Sequence, residues 1–278
     1  ASVTVLVGDF PWHPTDYDWV DISGIGTLLP LSLDDYSDAI DIGFEFTFFD
    51  QPFTQLWVGS HGFVTLNDVG VNFPPYINGA IPDPLDPNNT IYCFWDDNSS
   101  STTGAIYYYQ DTVEGRFIVS WDGVGHFGTG EQYWFQLILG DDGSIVMNYQ
   151  TIPINTSCSI GVEDGTGSTG LQACFDGQGD FLPTNGTALI FYEQSGVTAA
   201  VSGHVTLDGG AGNITQVLVQ ASGPGHPTTS PNASADYTLD SVATGNRRIL
   251  ASHTGYVTDT LLITLDSTGY AGANLTIR

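Results

Sequence analysis

Tyr133-Trp134-Phe135-Gln136-Leu137-Ile138-Leu139, then Gly140-Asp141-Asp142-Gly143, then Ser144-Ile145-Val146-Met147-Asn148-Tyr149 reads as a β-hairpin. A run of aromatic and aliphatic residues meets a Gly/Asp turn and returns as a second run, which predicts two antiparallel strands joined tightly. Ile42-Gly43-Phe44-Glu45-Phe46-Thr47-Phe48 has the same character upstream. Strand-like runs recur roughly every 8 to 15 residues, punctuated by Gly, Asp, Asn and Pro, and helical periodicity is almost absent. The expectation is an all-β chain built as sandwiches.

The chain has 278 residues, 41% hydrophobic, with six Trp, enough for one large or two ordinary cores. Aromatic residues are dense before residue 195 and sparse after it, and 193–198 reads as a linker. Three parts are expected: an N-terminal extension (1–12), a β-sandwich domain (13–195) and a smaller domain (200–278). The formal net charge is -27, with no Lys and four Arg, at 116, 247, 248 and 278. Phosphate recognition needs clustered cations, so nucleic acid and anionic membrane surfaces are excluded as partners. The acidity itself reads as solubility and self-repulsion, or as divalent-cation binding. Without Lys, isopeptide staples and Lys-linked polymers are chemically closed. No run of about 18 apolar residues exists, so no membrane insertion is expected. A start at Ala1 matches the expectation for a mature exported chain cleaved at a small residue.

Ser2-Val3-Thr4-Val5-Leu6-Val7 is a β-branched run cut off from the rest by Pro11-Trp12-His13-Pro14. An apolar terminal strand must pair with something, either its own sheet or another copy of the chain. Ser60-His61 is an adjacent Ser/His pair, and neighbours on a strand point to opposite faces, so it makes no catalytic dyad. Asp34 with Asp35 and Asp96 with Asp97 are paired acids of the kind glycosidases use, but acids in turns are ordinary turn formers. Asp16, Asp18 and Asp21 are the candidate Ca2+ ligands, and Asp34, Asp35, Asp38 and Asp41 form a second acidic cluster; no other cofactor is expected. Cys158 and Cys174 flank a Gly-rich turn, and a hairpin folded about residue 166 would set them opposite each other as a disulfide. Cys93 reads as a buried small hydrophobe. Trp12, Tyr76 and Tyr107-Tyr108-Tyr109 are either core or sugar-stacking platforms. Acceptor sequons occur at Asn88, Asn98, Asn155, Asn185, Asn213, Asn232 and Asn274, where composition predicts roughly two or three.

Two resemblances follow. Ser202-Gly203-His204-Val205-Thr206-Leu207, Val217-Leu218-Val219, Ala235-Asp236-Tyr237-Thr238-Leu239 and Gly255-Tyr256 resemble a carboxypeptidase regulatory-like domain. That resemblance implies a small transthyretin- or immunoglobulin-like sandwich, an accessory module of secreted proteins. Gly245-Asn246-Arg247-Arg248-Ile249 departs from the family's Gly-x-Tyr strand, and its two Arg mark a candidate contact. Tyr17-Asp18-Trp19-Val20-Asp21-Ile22-Ser23, Gly43-Phe44-Glu45-Phe46, Trp57-Val58-Gly59-Ser60-His61-Gly62-Phe63, Phe94-Trp95-Asp96-Asp97 and Ser159-Ile160-Gly161-Val162-Glu163 resemble a β-sandwich module of bacterial secreted and surface proteins. The expected fold is therefore a larger jelly-roll-like sandwich, a small Ig/transthyretin-like one, and an extension strand outside both.

The function expected is non-catalytic: a subunit of an extracellular, cell-surface filament. It would be a head-to-tail homopolymer joined by donor-strand complementation, with Val3, Val5, Leu6 and Val7 inserted into the next copy, and it would carry covalent glycans. The principle resembles that of chaperone-usher pili on a different fold. The alternatives are a secreted carbohydrate-binding or adhesin module and, more distantly, a glycoside-acting hydrolase working through Asp96 or Asp97.

Overall fold

The computed structural model describes residues 12–68, 74–100, 103–192, 197–209, 212–223 and 226–278. The Ser2–Val7 strand, with Val3, Val5, Leu6 and Val7, lies outside the described residues. The chain divides into two compact units between Phe191 and Tyr192, slightly before the boundary expected at 195.

The first unit carries β1 (Trp12–Thr15), β2 (Thr27–Leu29), β3 (Ile40–Phe48), β4 (Gln51–Gly59), β5 (Phe63–Thr65), β6 (Thr90–Trp95), β7 (Asn98–Ser99) and β8 (Ala105–Asp111). They are followed by β9 (Arg116–His126), β10 (Gln132–Gly140), β11 (Ser144–Thr151), β12 (Ser159–Glu163), β13 (Gly170–Phe175) and β14 (Thr187–Tyr192). One sheet runs β1-β14-β11-β10-β9-β8-β2, with β7 also on β9, and the other runs β13-β12-β6-β5-β4-β3. The hairpin legible in the sequence is β10–β11, with Phe135 opposite Tyr149, Leu137 opposite Met147 and Leu139 opposite Ile145. All six face inward and meet Phe46, Leu56, Val58, Ile91, Ile160 and Val162 of the facing sheet in one hydrophobic core.

Strand alternation sends the intervening residues outward, and here the outer faces are not left to water. Gln136 and Asn148 are register partners on β10 and β11, both essentially buried. Gln136 donates from Nε2 to the Val20 carbonyl (2.8 Å) and accepts the Val20 N–H (3.2 Å). Asn148 makes the same reciprocal pair with Asp18 (3.0 and 3.2 Å). Their amides replace a neighbouring strand for an irregular segment, residues 16–26, whose Ile22 then packs on Ile118 and Ile138.

The other sheet has a counterpart in residues 74–89. Ile81 packs on Phe63, Tyr92 and Trp95. Polar side chains from the sheet pin the backbone. Trp95 Nε1 donates to the Pro75 carbonyl (2.8 Å), and Ser159 Oγ donates to the Gly79 carbonyl (2.6 Å). Gln172 accepts the Ile81 N–H (2.9 Å), and Glu163 accepts the Asp83 N–H (2.9 Å). Burial lifts the fully buried Glu163 carboxyl to about 7, with the charges of Asp83 and Asp164 adding to the shift. The hydrogen bonds from the Tyr92 hydroxyl and the Asp83 N–H oppose that rise. Tyr92 has one hydroxyl proton and two acceptors in reach, the Pro87 carbonyl (3.0 Å) and Glu163 Oε1 (2.6 Å). The shorter of these is the bond from the phenol to Glu163.

The second unit holds β15 (Thr198–Leu207), β16 (Leu218–Ala221), β17 (Thr228–Thr229), β18 (Asp236–Ala243), β19 (Gly245–Ser252), β20 (Asp259–Leu265), β21 (Tyr270–Ala271) and β22 (Leu275–Ile277). Two small sheets, β18-β15-β21 with β22 also on β15, and β17-β16-β19-β20, enclose Val201, Val219, Tyr237, Ile249, Ile263 and Leu275. Arg247, offered by the sequence as a contact residue, is buried instead. Its guanidinium donates to the carbonyls of Ala243 (3.1 Å), Thr244 (2.8 Å) and Asn246 (2.7 Å), closing the β18–β19 turn.

Two outcomes are expected. Gln136→Leu keeps the volume but strands the Val20 N–H and C=O, and should cost about 2 to 4 kcal/mol in urea unfolding; a loss below about 0.5 kcal/mol would show that this amide does not hold the segment. Glu163 has a folded value above its ordinary one, so its contribution to stability is complete below about 4.5 and is lost as pH rises through about 7. Between pH 5 and pH 8 the wild type should lose on the order of 3 kcal/mol relative to Glu163→Gln, whose side chain does not titrate. Parallel pH profiles of the two proteins would refute the neutral carboxyl.

Candidate functional site

Three connections meet beside the β4–β5 turn. Ser60-His61-Gly62 links β4 to β5, and Gly62 has φ of +86°. A Cβ there would stand 2.1 Å from the Phe94 carbonyl oxygen, so only glycine lets β6 approach. The Gly62 carbonyl accepts the N–H groups of Cys93 (3.1 Å) and Phe94 (2.9 Å), and the His61 carbonyl accepts that of Asp96 (3.2 Å). Residues 35–37 run alongside: Ser60 N–H donates to the Asp35 carbonyl (3.0 Å), and Asp35 N–H donates to Ser60 Oγ (3.1 Å). This brings Asp34 over the His61 ring, with Nε2 to Oδ1 at 2.9 Å. Asp97 follows β6 and is fixed through its own carbonyl, which accepts the Phe127 N–H (2.9 Å). Asp34, His61 and Asp97 each offer one ligand atom, all within 4.8 Å of one another. Tyr76, half exposed, stands with its ring centroid 6.4 Å from that of His61.

A second histidine–carboxylate pair lies next to this trio. His126 Nε2 is 3.2 Å from Asp96 Oδ1, and His126 Nδ1 is 2.9 Å from the Phe127 carbonyl. Both ring nitrogens face acceptors, an arrangement that favours the protonated ring. The bond to Asp96 accordingly raises the ring above the ordinary imidazole value. Ser157 Oγ donates to the other Asp96 oxygen (2.7 Å). Burial raises the Asp97 carboxyl; His61 and His126 oppose that rise, while Asp34 and Asp96 add to it. The arrangement is a cluster of carboxylates around one buried imidazole, that of His61. Ser60 Oγ is engaged with the Asp35 backbone, and Ser157 Oγ with the Asp96 carboxylate.

A family model with the description NIDO related matches residues 10–193. The chain belongs to the NIDO-related family. No curated protein matches it, and no solved structure does. The matched span coincides with the first unit, so the Asp34–His61–Asp97 trio and both covering segments belong to the NIDO-related domain.

Several expected site residues fall elsewhere. Asp16, Asp18 and Asp21 are all exposed and do not converge; Asp21 Oδ1 instead accepts from the N–H (3.0 Å) and hydroxyl (2.7 Å) of Ser23, closing a turn. Cys158 and Cys174 are free thiols rather than a disulfide. The hairpin pairs Ser159 with Phe175 and Ile160 with Cys174, a register two residues away from the one folded about residue 166. The two cysteines are therefore diagonal neighbours, wider apart than directly opposed positions. Their thiols share a hydrogen bond that, with burial, holds Cys158 protonated. Cys93 is fully buried in the core, as expected. Asn88 and Asn98 are buried, Asn98 with its amide donating to the Phe94 carbonyl (2.9 Å), so neither sequon presents an acceptor nitrogen on the folded domain. Asn185, Asn213, Asn232 and Asn274 are exposed, and Asn155 is half-buried. Trp12 packs edge-on against Phe181, Tyr108 stacks on Phe117, and Tyr107 and Tyr109 lie under residues 16–26, which leaves Tyr76 as the exposed ring among these candidates.

Gly62→Ala should lower stability by more than about 2 kcal/mol, because the new methyl meets backbone and the turn demands positive φ. A melting temperature within a degree of wild type would refute the close approach of β6 to this turn.

Proposed function

We propose that the chain is a non-catalytic structural subunit of an extracellular filament, joined to the next copy through its N-terminal strand. One observation carries this reading: the family match begins at residue 10, after the Ser2–Val7 run. By sequence, Val3, Val5, Leu6 and Val7 are thus part of an apolar, β-branched run outside the matched span. Donor strands have this character, since main-chain pairing supplies affinity and alternate side chains supply specificity. Residues 200–278 are read as a carboxypeptidase regulatory-like module of a secreted protein, and the exposed sequons at Asn185, Asn213, Asn232 and Asn274 suit a glycosylated cell-surface fibre. The strong negative charge keeps copies apart except where a specific contact overcomes it.

A second reading, a carbohydrate-binding adhesin, is favoured by Tyr76, an exposed ring beside paired carboxylates that could stack on a sugar. Hydrolysis has weaker support, because Asp96 is already engaged by His126 and Ser157.

Deleting residues 1–8 should leave thermal unfolding of both units unchanged and abolish fibres in negative-stain electron microscopy. Fibres formed by the truncated protein would overturn the filament reading. Glycan-array binding lost in Tyr76→Ala, from a protein that sediments as a monomer, would establish the adhesin reading in its place.

A further inference from the structure

We propose that Asp34, His61 and Asp97 form a binding site for a divalent transition-metal ion, Zn2+ or Mn2+. The three side chains come from three separate connections, and their ligand atoms lie within 4.8 Å of one another. The His61 Nε2 to Asp34 Oδ1 separation is 2.9 Å. Metal–ligand bonds of about 2.0 to 2.2 Å place neighbouring donors of an octahedral shell about 2.8 to 3.1 Å apart, so this pair already spans one octahedral edge.

An independent observation comes from the histidine. Its side chain is fully buried, its ring is turned toward the two carboxylates, and Nδ1 has no hydrogen-bond partner. A buried imidazole held by a single hydrogen bond is poorly satisfied in any protonation state. Coordination replaces that lone contact with a much stronger one.

Charge and donor type select the ion. Two carboxylates and a neutral imidazole carry a formal charge of two negatives, which a dication balances. The adjacent Asp96 is not available to it, being taken by His126 and Ser157. One nitrogen and two oxygens suit Zn2+ or Mn2+, whereas Ca2+ takes about six to eight oxygens. Asp34 is one-third exposed and Asp97 is half-buried, so water can complete the shell. The backbone bonds that fix Ser60, Asp35 and Asp97 hold the donors in place before an ion arrives. This inference stands whether or not the chain forms fibres.

The test is calorimetric titration of the EDTA-stripped full chain with ZnCl2, MnCl2 or CaCl2 alone. One equivalent of Zn2+ or Mn2+ should bind, at least tenfold more tightly than Ca2+. Asp34→Asn and Asp97→Asn should each weaken that binding at least tenfold, while Asp21→Asn, in an exposed turn, should leave it unchanged. Both diagnostic positions lie in partly exposed connections, and the ion-free melting temperature checks that each variant folds. Absence of saturable binding, binding equally tight in both aspartate variants, or a preference for Ca2+ would overturn the proposal.

Discussion

The larger domain depends on polar side chains that are buried on the outward faces of its sheets. A sandwich needs only its inner faces to be apolar, and polar residues outside ordinarily meet water. In this protein Gln136 and Asn148 on one face, and Ser159, Glu163 and Gln172 on the other, meet backbone. A segment without regular structure has N–H and C=O groups that must be satisfied before it can cover an apolar surface. The outward side chains satisfy them, and Ile22 and Ile81 can then bury themselves. Removing those polar anchors would expose two apolar patches as well as a few hydrogen-bonding groups.

Much of the fold was legible in the sequence because it rests on local signals. The β10–β11 hairpin is visible in residues 133–149 as two apolar runs about a Gly/Asp turn, and the boundary between units is visible as a fall in aromatic density. The covering segments were not legible as such. Tyr17 to Ser23 stood out only through family resemblance, and nothing local indicates that Val20 pairs with Gln136, 116 residues away. Register was the other blind spot. Symmetry about residue 166 set Cys158 against Cys174, and a two-residue offset with a bulge after Ile160 undid it.

The Asp34–His61–Asp97 trio shows the same division. Each member was visible in its own neighbourhood: Asp34 as one of a pair of acids, His61 as a neighbour of Ser60, Asp97 at a strand end. Each had a bland local explanation, and no spacing rule links them. They meet because Gly62 lets β6 close on the β4–β5 turn, a tertiary event. Sequons failed in the opposite direction. The pattern at Asn88 and Asn98 is complete as sequence, but strand-end packing buries both side chains.

The anchored segments also separate regularity from rigidity. Backbone amides of Val20, Ile81 and Asp83 lie outside any strand, yet each donates to a partly or fully buried side-chain oxygen. Amide exchange is slow where opening requires breaking such a bond beneath packed apolar groups, whatever the backbone conformation. An exchange map of this domain would therefore not trace its strands. It would mark two irregular stretches as part of the slow core, and the unit that opens cooperatively would be the sheet together with the segment lying on it.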